Sequence, residues 1–380
     1  ITALFSDNKL SVYLAPLITL IIFKDITIGG NNIQYNYLLP SSIAKAISCF
    51  SIYIFLKKNI IITSISIIIA SLFQPLVAYQ VLFILFVLSI VLKHKKEEII
   101  ILIILPAIIL TIFFTFINTP VKISKDIQYI TFFIRFPHHF NPNSISITNY
   151  VIFFILSISS LIILINTNVK NKKVIISIII ITITIIIMYI IIFSYFKLYN
   201  IGIFQPFKLS IWTNLFSSIV ISMYIGNKLE QYPIFNLYKK YIIIPLLYIT
   251  PLLLVIIFFS GFVPLKKIQS RYMIGIYKRS SISIIHQWIS QNTPKDALFI
   301  SFPSDFSFQA EAKRPLIIGY KSFIIYNSEF TINWYNNFCK TYNIDTSYFK
   351  YNNNLLSISE KKYNLYPPSI PKKINQKNIY

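Results

Sequence analysis

An uninterrupted apolar run, VIISIIIITITIIIMYIIIF (Val174–Phe193), most restricts what this chain can fold into. It contains no charged side chain over a length that, as a helix, matches the roughly 30 Å hydrocarbon core of a bilayer. Such a run is solvated by lipid or by other helices. Only 12% of the 380 residues are charged, which is about half the share in soluble domains. These features exclude an ordinary soluble enzyme.

Apolar segments recur along the chain and predict a membrane all-α bundle of about nine transmembrane helices, which we place in a polytopic domain over residues 1–263. Because the sequence begins at Ile1 and not at a methionine, we expect this domain to be truncated at its N-terminus. The segments are approximately Ser11–Phe23, Ser41–Leu56, Ile60–Phe73, Pro75–Leu92, Ile99–Ile117, Tyr150–Ile165, Val174–Phe193, Ile211–Ile225 and Tyr241–Val263.

The stretch from Ile60 to Leu92 contains a proline at its centre. A single helix through it would be about 50 Å long, which exceeds the thickness of the hydrocarbon core. Pro75 lacks the backbone N–H that a helix interior needs, and its ring clashes with the preceding turn. The sequence therefore predicts a hairpin of two short helices that meet at Gln74–Pro75.

The distribution of basic residues supports this hairpin and indicates which side of the membrane each connection occupies. With the hairpin, eleven lysines fall in four short connections on one side, at 57–59, 93–98, 166–173 and 226–240. The opposite connections, at 24–40, 118–149 and 194–210, hold six basic residues over twice the length. The positive-inside rule makes the lysine-dense side cytoplasmic.

This topology explains much of the net charge of +23 without nucleic acid. Lysines beside an anionic leaflet act as topology signals and contact membrane lipids, and no basic stripe with interleaved aromatic residues predicts nucleic-acid binding. We expect a multi-pass protein of the cell (inner) membrane whose C-terminal domain is extracytoplasmic.

The last 117 residues have a different, polar composition rich in Asn and Tyr. Residues 264–345 predict a small extracytoplasmic α/β domain, and residues 346–380 a polar tail. In "SSISIIHQWISQ", Ile282, Ile285 and Ile289 fall on one stripe of a helix that "NTP" ends. "ALFISF" and "PLIIGY" are candidate parallel strands. Between them lies a helix with Ser304 or Asp305 as its N-cap, and "SEFTINWYNNFCK" predicts a third helix.

The segment "RFPHHF" holds the most distinctive polar residues of the membrane domain. Arg135 could bind a lipid-linked phosphate through its guanidinium fork, and His138 or His139 could hold or shuttle a proton. The alternative is an interfacial loop whose Arg and His side chains meet lipid headgroups and cap neighbouring helices. Adjacent histidines point in different directions, so we do not expect them to share a ligand.

Other candidates are isolated polar groups. Lys45 lies about one turn into an apolar helix, where it could bind an anionic lipid phosphate or simply extend towards the interface. Asp25 and Asp126 are weak candidates for a general base, and ordinary solvated loop acids are the alternative. No nucleotide-binding loop, H-E-x-x-H motif or cysteine cluster occurs, so no cofactor is evident, and a divalent metal is left open.

Several segments carry a resemblance to known families. "RFPHHF" and "WISQNTPKDALFISFPSDFSFQAEAKRPLIIGYK", with "GGNN", "SSIAKA" and "FQPLVAYQ", resemble an uncharacterised family of bacterial multi-pass membrane proteins classed as a domain of unknown function, from about residue 26 to residue 340. "W-I-x-x-N-T-P-x-D-A" also resembles a segment of polytopic GT-C-type glycosyltransferases. That resemblance implies a polyprenyl-phosphate-linked sugar as donor, basic residues for its phosphate, and an acidic base in an outer loop, which matches no position here and would precede Ile1.

Two functions remain open at this point. The first is a GT-C-like glycosyltransferase that uses a polyprenyl-phosphate-linked sugar at the extracytoplasmic face, with Arg135 and Lys45 on the phosphate and His138 or His139 near the acceptor. The second is a non-catalytic scaffold or transporter of the cell envelope. A transporter predicts charged groups at the bilayer midplane. Almost none are found, whereas a scaffold fits the scarcity of carboxylates.

Overall fold

The structure is a computed structural model, and it describes residues 1–21, 28–29, 39–117, 125–232, 281–303, 305, 307–320 and 328–345. The ninth predicted span, 241–263, and the tail, 346–380, lie outside these residues. The chain divides into two compact units. The first comprises residues 1–118 and 142–275, and the second comprises 119–141 and 276–380.

The described part of the first unit is helical. Among the helices that pack on each other are Pro40–Leu56 against Ile60–Phe73, and Lys9–Ile21 against Ser210–Glu230. Two 3₁₀ turns, Tyr199–Phe204 and Pro206–Leu209, lead directly into α10. The helices are α1 (Lys9–Ile21), α2 (Pro40–Leu56), α3 (Ile60–Phe73), α4 (Pro75–Val91), α5 (Lys96–Ile117), α8 (Ile147–Asn166), α9 (Lys172–Ser194) and α10 (Ser210–Glu230), with α6 and α7 belonging to the second unit.

The predicted break in the 60–92 stretch is present. Helix α3 ends at Phe73, Gln74 is extended with φ −153° and ψ 94°, and α4 begins at Pro75. Proline fits the first position of a helix because the N–H it lacks would have no partner within the helix there. The two helices pack on each other, as the hairpin requires.

The prediction of a helical membrane protein is supported, but the predicted number of nine spans is not. Three helices within the described residues are long and apolar enough to cross a membrane: Ile147–Asn166, Lys172–Ser194 and Tyr199–Glu230. These three indicate a membrane protein. The apolar helices α2, α3 and α4 have 17, 14 and 17 residues. At 1.5 Å per residue they are about 21–26 Å long, which is shorter than the hydrocarbon core.

The side chains of the first unit are arranged as lipid requires. On α8 the serines Ser157 and Ser160 are buried against the bundle, whereas Ile155, Ile158 and Ile162 on the other face are about half exposed. Each buried serine hydroxyl donates to a carbonyl one turn back, at 2.7 and 2.8 Å. Isoleucine outside and serine inside is the reverse of a soluble helix, and it is typical of helix packing within a bilayer.

The described part of the second unit contains short helices around an aromatic core. Helix α6 (Lys125–Tyr129) continues into a π-helix (Ile130–Arg135) and is followed by α7 (Pro137–Phe140). The first two pack with a helix later in the chain, α13 (Ser328–Thr341), while α11 (Ser281–Asn292) and α12 (Phe308–Ala312) pack on each other. The core includes Tyr320, Trp334, Phe338 and Tyr342.

The predicted α/β character of this unit is not supported. Within its described residues the two candidate strands form a single parallel bridge, Phe299 to Leu316, with hydrogen bonds from Phe299 N to Pro315 O at 3.1 Å and from Ile317 N to Phe299 O at 2.9 Å. Pro303 and Pro315 have no N–H to donate, which limits a longer ladder. The predicted helices at "SSISIIHQWISQ" and "SEFTINWYNNFCK" are present as α11 and α13.

Candidate functional site

Lys45 and Lys208 line the same small cavity in the first unit. Lys45 is buried in α2, and Lys208 lies half-buried in the 3₁₀ turn before α10. Lys208 lies close enough for its charge to act electrostatically on Lys45. Gln74 and Gln80 from the α3–α4 hairpin complete the polar lining. Two cations and two amides therefore converge where the sequence indicated only Lys45.

The cavity lies where several helices begin. Ser41 and Lys45 are in the first two turns of α2, Gln74 directly precedes α4, and Lys208 directly precedes α10. The N-terminal end of a helix carries a partial positive charge from its unsatisfied N–H groups, so three such ends and two ammonium groups favour an anion. The cavity holds about 20 Å³, which is room for about one water molecule, so a phosphate would bind at its mouth.

An apolar groove of about 320 Å³ adjoins this cavity, because Gln80 lines both. The Gln80 amide donates to the carbonyl of Gln205 at 3.3 Å, which holds α4 against the turn that carries Lys208. The other lining side chains of the groove are almost all apolar: Leu76, Tyr79, Phe83, Ile185, Phe204, Pro206 and Leu209. An anion-binding end next to an apolar groove suits a ligand with a phosphate head and a hydrocarbon chain.

Arg135, the predicted phosphate ligand, lies in the second unit inside a box of aromatic rings. Its guanidinium carbon is 4.3 Å from the centre of the Phe136 ring, 4.2 Å from that of Tyr320 and 5.6 Å from that of Trp334. Burial lowers the pKa of Arg135 to about 10, an effect that the contact with Tyr320 partly offsets. The geometry gives Arg135 a cation–π role in joining the 125–141 segment to the rest of the unit. Phosphate binding by Arg135 stays a prediction.

His138 and His139 lie side by side on α7. Their ring centres are 4.0 Å apart, with His138 exposed and His139 half-buried. His139 also stacks on Phe136 at 6.0 Å, beside the aromatic box. The two rings contact each other more closely than the sequence suggested. Their predicted part in proton transfer is untested.

His286 on α11 forms a charged network that sequence reasoning missed. It is buried, and its Nε2 lies 2.8 Å from Oδ2 of Asp305 while its Nδ1 lies 3.0 Å from Oε2 of Glu311. A ring nitrogen pairs with an ionised carboxylate only as a donor, so this arrangement fits an imidazolium between two carboxylates. Asp305 is thus used here and is not the N-cap of α12, which is Ser307; the other proposed cap, Ser304, lies outside the described residues.

Arg314 accounts for the "N-T-P" turn at the end of α11. Its guanidinium donates to the carbonyl oxygens of Ser290 at 2.7 Å and Thr293 at 2.6 Å, and to the Thr293 hydroxyl at 3.0 Å. The last carbonyls of a helix have no intrahelical partner, and a basic side chain satisfies them. In this structure "N-T-P" forms a capped helix end.

The predicted acids cannot be placed. Asp25 lies outside the described residues, and so does the side chain of Asp126, although its backbone belongs to α6. Within the described part of the chain, no group of three or more His, Cys, Asp or Glu side chains could hold a metal ion. The sites that the structure does describe are therefore the lysine cavity, the aromatic box and the His286 network.

Comparison with known families identifies part of the second unit. Residues 281–340 match the family described as domain of unknown function (DUF6798). The matched segment contains His286, Asp305, Glu311 and Arg314, together with Tyr320 and Trp334 of the aromatic box. No curated protein and no solved structure matches the chain. The predicted resemblance to a domain of unknown function is therefore supported over this segment.

A sequence signal for each missed residue exists. Lys208 is one of only six basic residues in the sparsely charged connections. It lies two residues before an apolar helix, and Lys45 lies about one turn into another. His286 is one of four histidines, and three of the twelve acids, Asp296, Asp305 and Glu311, follow it within 25 residues. Scarcity of charge in this chain makes each such residue informative.

Proposed function

We propose that this protein is a multi-pass membrane protein that binds a polyprenyl-phosphate-linked sugar, with the phosphate held by Lys45 and Lys208, and transfers the sugar at the extracytoplasmic face. The observation that carries the proposal is the shared boundary of the two-lysine cavity and the apolar groove at Gln80. One ligand of this shape would place its phosphate at the cavity mouth and its isoprenoid chain in the groove.

The phosphate end is supported by electrostatics. Two lysines whose charges repel each other gain when a phosphate lies between them, and the beginnings of α2, α4 and α10 add three partial positive charges. Hydrogen bonds to charged groups contribute about 1.5–3 kcal/mol each. Each lysine is therefore expected to contribute roughly tenfold or more to affinity.

The lipid end is supported by the groove. Tyr79, Phe83 and Phe204 line it and are exposed, so an isoprenoid chain that enters from the bilayer would cover them. Burial of apolar area from water contributes about 25 cal/mol per Å², but a chain moving from lipid gains mainly from packing. The groove therefore favours a lipid-linked phosphate over a free one chiefly by shape.

The extracytoplasmic placement follows from charge. Lys58, Lys93 and Lys95 line one cavity at the ends of α2 and α4, together with Asn171 before α9, so three lysine-rich connections meet there. Lys208 lies in the sparsely charged connection 194–210, Lys45 follows the connection 24–40, and Gln74 is at the turn of the α3–α4 hairpin on the same predicted side. Under the positive-inside rule the two-lysine cavity faces outwards.

Transfer needs a proton acceptor beside the sugar. An acceptor hydroxyl would form a bond to the anomeric carbon, the bond from that carbon to the phosphate oxygen would break, and the hydroxyl proton would pass to a carboxylate. Asp25, in the same unit as the two-lysine cavity, is the acid we propose for this step, and Asp126 of the second unit serves as its comparison.

Binding of farnesyl phosphate to the purified chain in lipid nanodiscs tests the proposal. Lys45→Gln and Lys208→Gln should each weaken binding about tenfold or more, because each removes one cation from the phosphate. Lys228→Gln is the matched control, since Lys228 lies exposed at the far end of α10. Phe83→Ala should weaken farnesyl phosphate binding and leave inorganic phosphate binding unchanged.

Unchanged affinity in both cavity variants would reject the phosphate site. Transfer is tested separately with a radiolabelled polyprenyl-phosphate sugar and Asp25→Asn or Asp126→Asn. Tight binding with no transfer under any condition would favour the second function, a non-catalytic envelope protein, which the absence of a carboxylate among the described lining residues of the cavity also fits.

A further inference from the structure

Helix α11 presents large apolar side chains outwards from the second unit. Ile282, Ile284, Ile285 and Trp288 are each more than half exposed, whereas His286 and Ile289 on the opposite side are buried. The predicted stripe of Ile282, Ile285 and Ile289 is thus divided: Ile289 faces the unit interior, and the other two face outwards. The outward face of α11 is therefore an apolar surface that includes a tryptophan.

The charges around this face suit an anionic surface. Helix α11 itself contains no acidic residue, and Lys278 and Arg279 directly precede it in the sequence, whereas beyond its end the exposed Lys295 is followed by the exposed Asp296. Basic residues near a bilayer surface contribute about 1 kcal/mol each through anionic lipids. Tryptophan with isoleucine on one face and basic residues before the helix is typical of helices that lie in the headgroup region.

The sequence before α11 argues for a membrane as its partner. The last predicted span ends near Val263, 18 residues before Ser281, and the chain also carries the three candidate spans of the first unit. We therefore take the bilayer as the surface that this helix meets. The exposed polar residues of α11 lie at its ends, at Ser281, Gln291 and Asn292, so the centre of the outward face is apolar, as insertion into a bilayer requires.

We infer that α11 lies in the membrane interface, with Ile282, Ile284, Ile285 and Trp288 inserted at headgroup depth, and that it anchors the second unit on the bilayer. The ligand class is the lipid surface itself, preferably one containing anionic lipid. This anchoring is independent of the proposed sugar transfer. His286, on the opposite side of the same helix, ties the anchored helix to Asp305 and Glu311.

Tryptophan fluorescence of the full chain in vesicles tests the inference. Trp212 and Trp334 are buried, whereas Trp288 is 60% exposed, so the emission of the wild type minus that of Trp288→Phe reports on Trp288 alone. In phosphatidylcholine–phosphatidylglycerol vesicles we expect this difference signal to lose most of its intensity to lipids brominated near the headgroup. Bromine near the bilayer centre should quench it much less.

Three other outcomes would overturn the inference. Efficient quenching by aqueous acrylamide with no quenching by brominated lipid would place the face in water. Protection from both quenchers would mean that protein covers it. Protection that disappears as vesicles are diluted in protein would identify that cover as a second copy. Ile284→Ser with Ile285→Ser provides a further check, because it should shift Trp288 emission to longer wavelength while leaving Trp334 buried.

Discussion

The two units bury different residues at their closest contacts. Where α1 meets α10 in the first unit, Gly226 lies directly against Ser11, and the hydroxyls of Thr19 and Ser218 hydrogen-bond at 2.5 Å. In the second unit the contacts are made by aromatic rings such as Tyr320 and Phe338, 5.5 Å apart. Between helices in lipid, hydrophobicity does not distinguish inside from outside, so close approach and hydroxyl pairing hold the helices together. In the second unit, burial of aromatic surface from water stabilises the fold.

The buried cations of the two units also differ in their surroundings. His286 faces two carboxylates and Arg135 faces three rings, so each has fixed partners that explain its burial. Lys45 and Lys208 share a cavity with each other, with amides and with the beginnings of three helices. Two like charges that line one opening favour an anionic ligand there.

The largest expected effect comes from His286, because it neutralises two acids. His286→Gln keeps the size of the side chain but removes the charge, and leaves Asp305 and Glu311 near each other. Removing one partner of a buried ion pair costs about 3–5 kcal/mol, and we expect about 3 kcal/mol since Glu311 is partly exposed. Thermal unfolding followed by near-UV circular dichroism, which reports the aromatic core, measures the loss.

Glu311→Gln is the control for that comparison. Its carboxylate is 38% exposed, so its loss should cost less than about 1 kcal/mol. Equal losses in the two variants would show that His286 contributes only as much as a surface ion pair. The second unit would then depend on its aromatic core alone.

A smaller effect is expected at the contact between α1 and α10. A methyl group at Gly226 would overlap the Ser11 hydroxyl, so Gly226→Ala should destabilise the first unit by about 1–3 kcal/mol through overpacking. Ser11→Gly in the same chain removes the overlapping atom and should recover part of the loss. The midpoint of unfolding in detergent and SDS mixtures measures both.

Ile225→Ala, on the exposed face of the same helix, is the matched control and should change stability by much less. If Gly226→Ala proved neutral, the two helices would not be held at the distance observed. The first unit would then not depend on close helix contacts, and its packing would not differ from the aromatic packing of the second unit in the way described above.

Local signals in the sequence predicted the helices and the break between α3 and α4. Pro75 and the charge-free runs determine structure through residues that are close in sequence, so their effect could be predicted without knowing the fold. The number of spans was not predictable in this way, because α2 and α3 read as spans by composition and are shorter than the bilayer core. The prediction of strands at 297–302 and 315–320 was wrong for a related reason. Apolar β-branched residues indicate a strand, but the flanking prolines limit the pairing of the two segments to one bridge.

The candidate site was only half predictable. Lys45 stood out because it interrupts an apolar helix, but its partner Lys208 is 163 residues away and reads as a loop charge. Asp305 and Glu311 meet His286 only after the chain reverses between α11 and α12. Arg135 was chosen for its rarity, and only the structure shows Tyr320 and Trp334 closing around it. Contacts between residues distant in sequence carry no local signal.

The smallest expected effect is kinetic and concerns Cys339 in the aromatic core of the second unit. Burial raises the pKa of this thiol to about 12, although a hydrogen bond from Tyr335 lowers it slightly. Because only the thiolate reacts with maleimide, and a raised pKa means less thiolate at any pH below it, Cys339 should label far more slowly than an exposed cysteine at pH 8. With Cys49 replaced by serine, the rate should keep rising towards pH 12, whereas an ordinary thiol levels off near its pKa of about 8.5. Rapid labelling at pH 8 without unfolding would mean that the core opens readily, which would contradict tight aromatic packing as the feature that separates this unit from the membrane helices.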